Sequence, residues 1–152
     1  MPKNWLTIPH QKQRRQADCL ASCAAMVFAY WKRFINYKQL LTLLDIQDVG
    51  APYSNIKRLS QLGMSVNLAE GELTDLENHL QQGEPCILFL RTGELSYWHM
   101  DTGHAVVLTG IDDTYIYLND PAFSIAPQTV SHGEFLLSWL EFDYEYAVVK
   151  PK

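Results

Sequence analysis

The sequence predicts an α+β fold on three observations. Helical periodicity fills the first half of the chain, continuous apolar runs of strand length fill the second, and a hairpin-type turn joins two of those runs. At 152 residues the chain is expected to form one domain spanning 1–152. A hydrophobic fraction of 47% against 19% charged excludes a disordered chain. A formal net charge of −5 provides no concentrated basic face, so nucleic acid is not an expected partner.

The elements follow in order. The first helix begins near Asp18, a candidate cap, and carries Cys19, Cys23, Met26, Val27 and Tyr30 at helical spacing. Asn36 is the expected cap of a second helix through Leu44. A third is predicted over Ser54–Leu62, stopped by Gly63. Met64–Leu68 alternates as a short strand. Leu73–Gln82 is a fourth helix with Thr74 as the expected cap, ended by Gly83. Cys86–Leu90 and His104–Ile111 are strand-length apolar runs. Tyr115–Leu118 is a third, joined to the second by a hairpin turn at Asp112-Asp113-Thr114. A strand at Gln128–Val130, a helix over His132–Phe142 and a closing strand at Tyr146–Val149 complete the chain.

No apolar run approaches the roughly 20 residues needed to cross a bilayer, and the first ten residues hold no secretory h-region. Three cysteines cannot all pair within the chain, so at least one thiol is free. A cytoplasmic, reducing location is therefore expected. The three cysteines are not equivalent. Cys86 opens an apolar strand and Cys23 shares a stripe with Met26 and Val27, so both read as core. Cys19 sits in the first turn of its helix, after the polar stretch Gln11–Gln16. A helix N-terminus carries unpaired N–H groups and about half a positive charge. That setting favours thiolate and supplies donors to a developing oxyanion. Position alone also fits Cys19 as the first residue of a buried stripe, so a base is the deciding feature.

Of the five histidines, His10, His79 and His132 lie in polar settings, His99 lies in a loop, and His104 opens an apolar strand. If Asp112 and Asp113 form a two-residue turn, His104 faces about position 121; a three-residue loop brings it opposite Asp120. In either register Asp120 adjoins His104, where a carboxylate can fix the imidazole tautomer and leave the other nitrogen for a thiol. The plain alternatives are a strand-edge histidine with a structural role and a simple turn at Asn119-Asp120-Pro121. Cys19, Cys23, His99 and His104 could be assembled as a zinc set, but paired short-spacing knuckles are absent. No metal and no cofactor is expected.

With Cys19, His104 and Asp120 in that order, the sequence resembles the bacteriocin-processing cysteine peptidases, papain-like domains that remove double-glycine leader peptides. The matching pieces are Gln13-x-x-x-x-Asp18-Cys19, the helix to Met26-Val-Phe-Ala-Tyr30, Gly103-His104-Ala-Val-Val-Leu108 and Asn119-Asp120-Pro121-Ala122. Glu94-Leu-Ser-Tyr-Trp98 and Phe135-Leu-Leu-Ser-Trp139 are similar to a stand-alone bacterial branch of the group. The resemblance implies a papain-like α+β fold with N-terminal helices packed on an antiparallel sheet. It implies Cys19 as nucleophile, His104 as general base and then acid, Asp120 as the orienting acid, and the Gln13 amide as an oxyanion donor. The implied reaction is peptide hydrolysis through a thioester, on a peptide or protein substrate.

The chain departs from the family pattern in two places. Leu20 stands where the leader peptidases usually have Gly, and the membrane-spanning and ATP-driven transport segments that usually follow are absent. Any exporter is therefore expected on another chain. Tyr97 and Trp98, in the loop Glu94–Thr102, are expected to border the cleft as an aromatic substrate subsite or to pack as a lid. The same triad also serves acyl transfer to an amine or glutamine deamidation, and a non-catalytic peptide-binding module is the third alternative.

Overall fold

A computed structural model describes residues 4–152. After the short strand β1 (Asn4–Trp5), an extended strap leads to α1 (Cys19–Tyr30) and α2 (Tyr37–Leu43). Every residue of α1 from Leu20 to Phe28 is buried, which is why its apolar residues run round the helix rather than along one stripe. Asn36 caps α2 as predicted, its Oδ1 accepting from the Lys38 N–H at 2.9 Å.

The segment expected as a third α-helix forms 3-10 turns over Tyr53–Leu62 instead. Ile56 and Leu59 are its buried residues, with Tyr53 and Leu62 packed partly against the core. That spacing of three eclipses side chains on one line only at three residues per turn. Gly63 stops it at φ 77°.

The remaining elements are β2 (Met64–Glu70), α3 (Leu73–Gln81), β3 (Cys86–Arg91), β4 (Gly103–Ile111), β5 (Tyr115–Asn119), β6 (Gln128–Ser131), α4 (His132–Leu140) and β7 (Glu145–Pro151). Glu72, not Thr74, precedes the first turn of α3, with its N–H donating to the Asp75 carboxylate at 2.8 Å. The predicted helix over His132–Phe142 ends at Leu140, because Asp143 and Tyr144 adopt positive φ and turn the chain back.

The strands form one sheet in the order β2-β7-β3-β4-β5-β6, with β1 added on β4, and every pairing is antiparallel. The final strand is thus an interior strand between β2 and β3. Cys86–Leu90 and His104–Ile111 are buried throughout, so alternation is lost and both faces carry apolar residues. Helix α1 packs chiefly on β4 and α4 on β3.

The β4–β5 hairpin differs from the predicted register. Asp112 pairs with Tyr115, so the turn residues are Asp113 and Thr114, and a bulge between Leu108 and Gly110 shifts the ladder. The ladder reaches Val107 opposite Asn119. One step further sets Asp120 beside Val106, so Asp120 and His104 are diagonal neighbours on one face rather than directly opposed. The strap crosses the end of this hairpin. Leu6 N–H donates to Thr109 O at 2.8 Å, Asn119 Nδ2 to Ile8 O at 3.0 Å, and Gln13 N–H to Pro121 O at 2.7 Å. These bonds carry Gln13 to the same edge as Asp120.

Candidate active site

Cys19 is half-buried at the N-terminus of α1, whereas Cys23 and Cys86 are fully buried. Burial raises the Cys23 thiol well above its ordinary range, and burial likewise raises Cys86. Both are therefore protonated core residues, as predicted.

Asp18, directly before Cys19, is buried but does not cap α1 with its side chain. Its carboxylate instead accepts from the Arg15 N–H, from Arg15 Nε at 3.2 Å, from Arg15 Nη2 at 3.1 Å and from the Tyr37 hydroxyl at 3.0 Å. Tyr37 in turn meets Ser22 Oγ at 3.1 Å. This network pins the polar turn 15–18 that leads into the helix. The first N–H groups of α1 are thus not taken up by the Asp18 side chain.

The structure brings His104 and Asp120 together in a dry setting, at 3% and 0% exposure. His104 Nε2 lies 2.6 Å from Asp120 Oδ1. A carboxylate of lowered pKa accepts only, so Nε2 carries a hydrogen toward Asp120, while Cys19 lines the same cleft as the ring. Burial disfavours the imidazolium, but the hydrogen bonds and charges of Asp120 and Cys19 outweigh it and raise His104 to about 9. Burial also works against the ionised Asp120. The His104 hydrogen bond and charge, the Ala122 N–H and the Trp98 indole together hold it below the ordinary carboxylate value.

Asp120 accepts four hydrogen bonds, two on each oxygen. Oδ1 takes His104 Nε2 and the Ala122 N–H at 2.9 Å; Oδ2 takes the Tyr97 hydroxyl and the Trp98 Nε1, each at 2.8 Å. The Trp98 ring stands edge-on to His104 with centroids 4.9 Å apart. Sequence reasoning placed Tyr97 and Trp98 at the cleft. Trp98 does line it, while Tyr97 lies behind with its hydroxyl turned to Asp120. Their role as carboxylate donors was missed, because it depends on the loop Glu94–Thr102 folding back over the end of β5.

A cleft of about 370 Å³ opens over these groups. The strap and α1 supply Gln13, Ala17, Cys19 and Leu20; the turn Asp48–Ala51 forms the rim; Trp98, Thr102, Gly103 and His104 form the opposite wall. Gly103 is required beside His104, since a Cβ there would stand 2.9 Å from the Tyr53 hydroxyl. Gln13 lines the cleft. Its Nε2 gives one hydrogen to Gln16 O at 3.3 Å, leaving a second free. Among the described residues no cluster of His, Cys, Asp or Glu is arranged to hold a metal ion. No helix among them is long and apolar enough to cross a membrane.

Comparison with known proteins bears on the family and the fold. The sequence matches the model of the Peptidase C39 family over residues 7–144. Among curated protein sequences none matches the chain. Solved structures with the same fold include a double glycine motif protease from an AMS/PCAT transporter in complex with the leader peptide, at 24% identity and TM-score 0.77, covering 99% of this chain and 96% of that one. A C39-like peptidase from Bacillus anthracis aligns at 15% identity and TM-score 0.78, over 96% of each chain. The peptidase domain of Streptococcus ComA, a bi-functional ABC transporter, aligns at 17% identity and TM-score 0.77, over 96% of this chain and 100% of that one. The predicted α+β fold, with helices on an antiparallel sheet, is the papain-like fold these structures share.

Proposed function

The chain belongs to the Peptidase C39 family, and we propose that residues 1–152 act as one cysteine peptidase domain in which Cys19, His104 and Asp120 hydrolyse a peptide bond through a thioester. The observation that carries this reading is the His104–Asp120 contact at 2.6 Å, with His104 and Cys19 lining the same cleft. It supplies the nucleophile, base and orienting acid that thiol acylation needs.

The steps follow from the geometry. His104 Nδ1 takes the Cys19 thiol proton, and Sγ attacks the carbonyl carbon of the substrate. The resulting oxyanion faces the Cys19 N–H and the free Nε2 hydrogen of Gln13. When the tetrahedral adduct collapses, the C–N bond breaks and His104 returns the proton to the leaving amine. Water then gives a proton to His104 and attacks the thioester, releasing the acid and restoring the thiol. Asp120 stays ionised throughout; it holds Nε2–H and stabilises the imidazolium when it forms.

The substrate class is a peptide segment lying in the cleft, with Trp98 as one wall. The relative crystallised with its leader peptide supports that class. Leu20 narrows the floor beside Cys19, where leader peptidases usually carry Gly. A free thiol nucleophile also fits a reducing compartment, and the cytoplasm is the proposed location.

The test is to trap the acyl group. With a peptide ester, mass spectrometry of the intact protein is expected to show an adduct on Cys19 that decays to free acid. Activity that survives Cys19→Ala would overturn the assignment. A product formed with an added amine in preference to water would reassign the enzyme as an acyltransferase, and a bound but uncleaved peptide would leave a binding module.

A further inference from the structure

The strings Glu94–Trp98 and Phe135–Trp139 are offset by 41 residues in the sequence, and neither contains a member of the triad. In the fold they meet. The Ser96 N–H donates to Glu134 Oε1 at 2.8 Å, and the other oxygen of Glu134 accepts from the Ser131 N–H at 3.2 Å and its hydroxyl at 3.1 Å. Ser131 is the N-cap of α4, and its Oγ accepts from the Glu134 N–H at 3.2 Å. One carboxylate thus closes the capping box of α4 and also anchors the loop.

The residues just after that anchor are Tyr97 and Trp98, whose donors meet on a single oxygen of Asp120, Oδ2. Saturating Oδ2 fixes rotation of the carboxyl group, so Oδ1 alone remains for His104. Trp98 also limits the imidazole itself, edge-on at 4.9 Å. Phe123 backs both rings, at 5.2 Å from Tyr97 and 5.3 Å from Trp98. The loop is therefore held at two ends, by Glu134 outside and by Asp120 inside.

We propose that Tyr97 and Trp98 are positioning residues that lock Asp120, and through it His104, and that Glu134 positions them by anchoring Ser96 to the start of α4. This rests on the reading of Cys19, His104 and Asp120 as the working triad. Tyr97, Trp98 and Glu134 do not touch the thiol or the scissile bond; they act by restricting the carboxylate and the imidazole to one geometry. Removing one donor from Oδ2 frees the carboxyl group to rotate and leaves Asp120 a stronger partner for a proton. The His104 ring then binds its proton more tightly but is less often aligned with Cys19, and the lost alignment governs the thiol's reactivity.

The test measures alkylation of Cys19 by iodoacetamide against pH, together with the His104 ring titration by NMR, in the full chain. Tyr97→Phe and Trp98→Phe are each expected to slow alkylation at pH 7 by about tenfold, the rate equivalent of one hydrogen bond to a charged group. Both are expected to move the His104 titration upward. Glu134→Ala is expected to slow alkylation in the same direction, and Glu134→Gln, which keeps an acceptor for Ser96, to restore it to within about threefold. Urea midpoints identify any variant that fails to fold. Folded Tyr97→Phe and Trp98→Phe proteins with wild-type rates and an unmoved His104 titration would overturn the inference. If the unaltered protein is alkylated elsewhere than Cys19, or independently of His104, the triad reading fails instead.

Discussion

Replacing Asp120 with asparagine removes one charge from a site that is fully buried and fully donated to. The two oxygens of Asp120 receive four donors, and two of these, the Ala122 N–H and the Trp98 indole N–H, cannot act as acceptors. Asparagine has one oxygen. If that oxygen faces Trp98 and Tyr97, its NH₂ opposes the Ala122 N–H and compels His104 to accept at Nε2, which puts the ring hydrogen on Nδ1, toward Cys19. If it faces His104 and Ala122, the NH₂ opposes the indole. Either orientation leaves one buried donor unpaired and removes the charge-assisted bond to His104. The expected loss is roughly 3–5 kcal/mol of stability.

A second estimate comes from His104 itself. Without the carboxylate, burial governs the ring, and its titration falls from about 9 to below the ordinary value near 6.5, a change worth about 3 kcal/mol. The assay is urea unfolding of Asp120→Asn beside the native protein, with the His104 ring followed by NMR. A stability loss under about 1 kcal/mol, together with a His104 titration that stays where it was, would refute the reasoning.

The same linkage sets the pH dependence of stability. The folded value of His104, about 9, lies above the unfolded value near 6.5, so its contribution is complete below pH 6.5 and disappears as the pH rises through 9. Urea midpoints of the native protein should therefore decline over that window, and the decline should vanish in Asp120→Asn. Gln13→Ala is expected to lower kcat about 10²-fold or more, with alkylation of Cys19 close to normal, because the proposed role of the side chain is toward the oxyanion and not the thiol; steady-state kinetics beside alkylation separates the two. Trp139→Ala empties a fully buried site and strands the Glu145 carbonyl, which accepts from the indole at 2.8 Å, so about 3–5 kcal/mol should be lost in urea unfolding. Gly103→Ala places a methyl against the Tyr53 hydroxyl at 2.9 Å and should cost about 1–3 kcal/mol while disturbing His104 next to it.

The helix of Cys19, the strand of His104 and the proximity of Asp120 were legible because local signals agreed: a polar turn before an apolar helix, an unbroken apolar run, and a short hairpin. The register was not legible. The bulge between Leu108 and Gly110 and the placement of the turn at Asp113-Thr114 depend on how β1 and the strap pack against β4. Asp120 nevertheless stays beside His104, as a diagonal neighbour on one face rather than the expected direct partner. Cys23 and Cys86 were correctly read as core from their apolar neighbours.

Asp18 looked like a helix cap from its position, but Arg15 and Tyr37 compete for its carboxylate, and Tyr37 reaches it only through the packing of α2 on α1. The 3-10 turns at Tyr53–Leu62 were foreshadowed by a period of three that is easily read as one face of an α-helix. Tyr97 and Trp98 were visible as unusual loop aromatics. Their target was not, since it is set by the Ser96–Glu134 bond between two segments distant in the chain.

On the proposed mechanism Cys19 is the reactive thiol and His104 makes it so. The most direct measurement is labelling of the native protein with a thiol-directed probe, followed by peptide mapping, in parallel with Cys19→Ala and His104→Ala. A single modification at Cys19 is expected, with none in Cys19→Ala and a rate at least about 10²-fold lower in His104→Ala. Labelling at Cys23 or Cys86, or labelling of Cys19 at the same rate without His104, would contradict it.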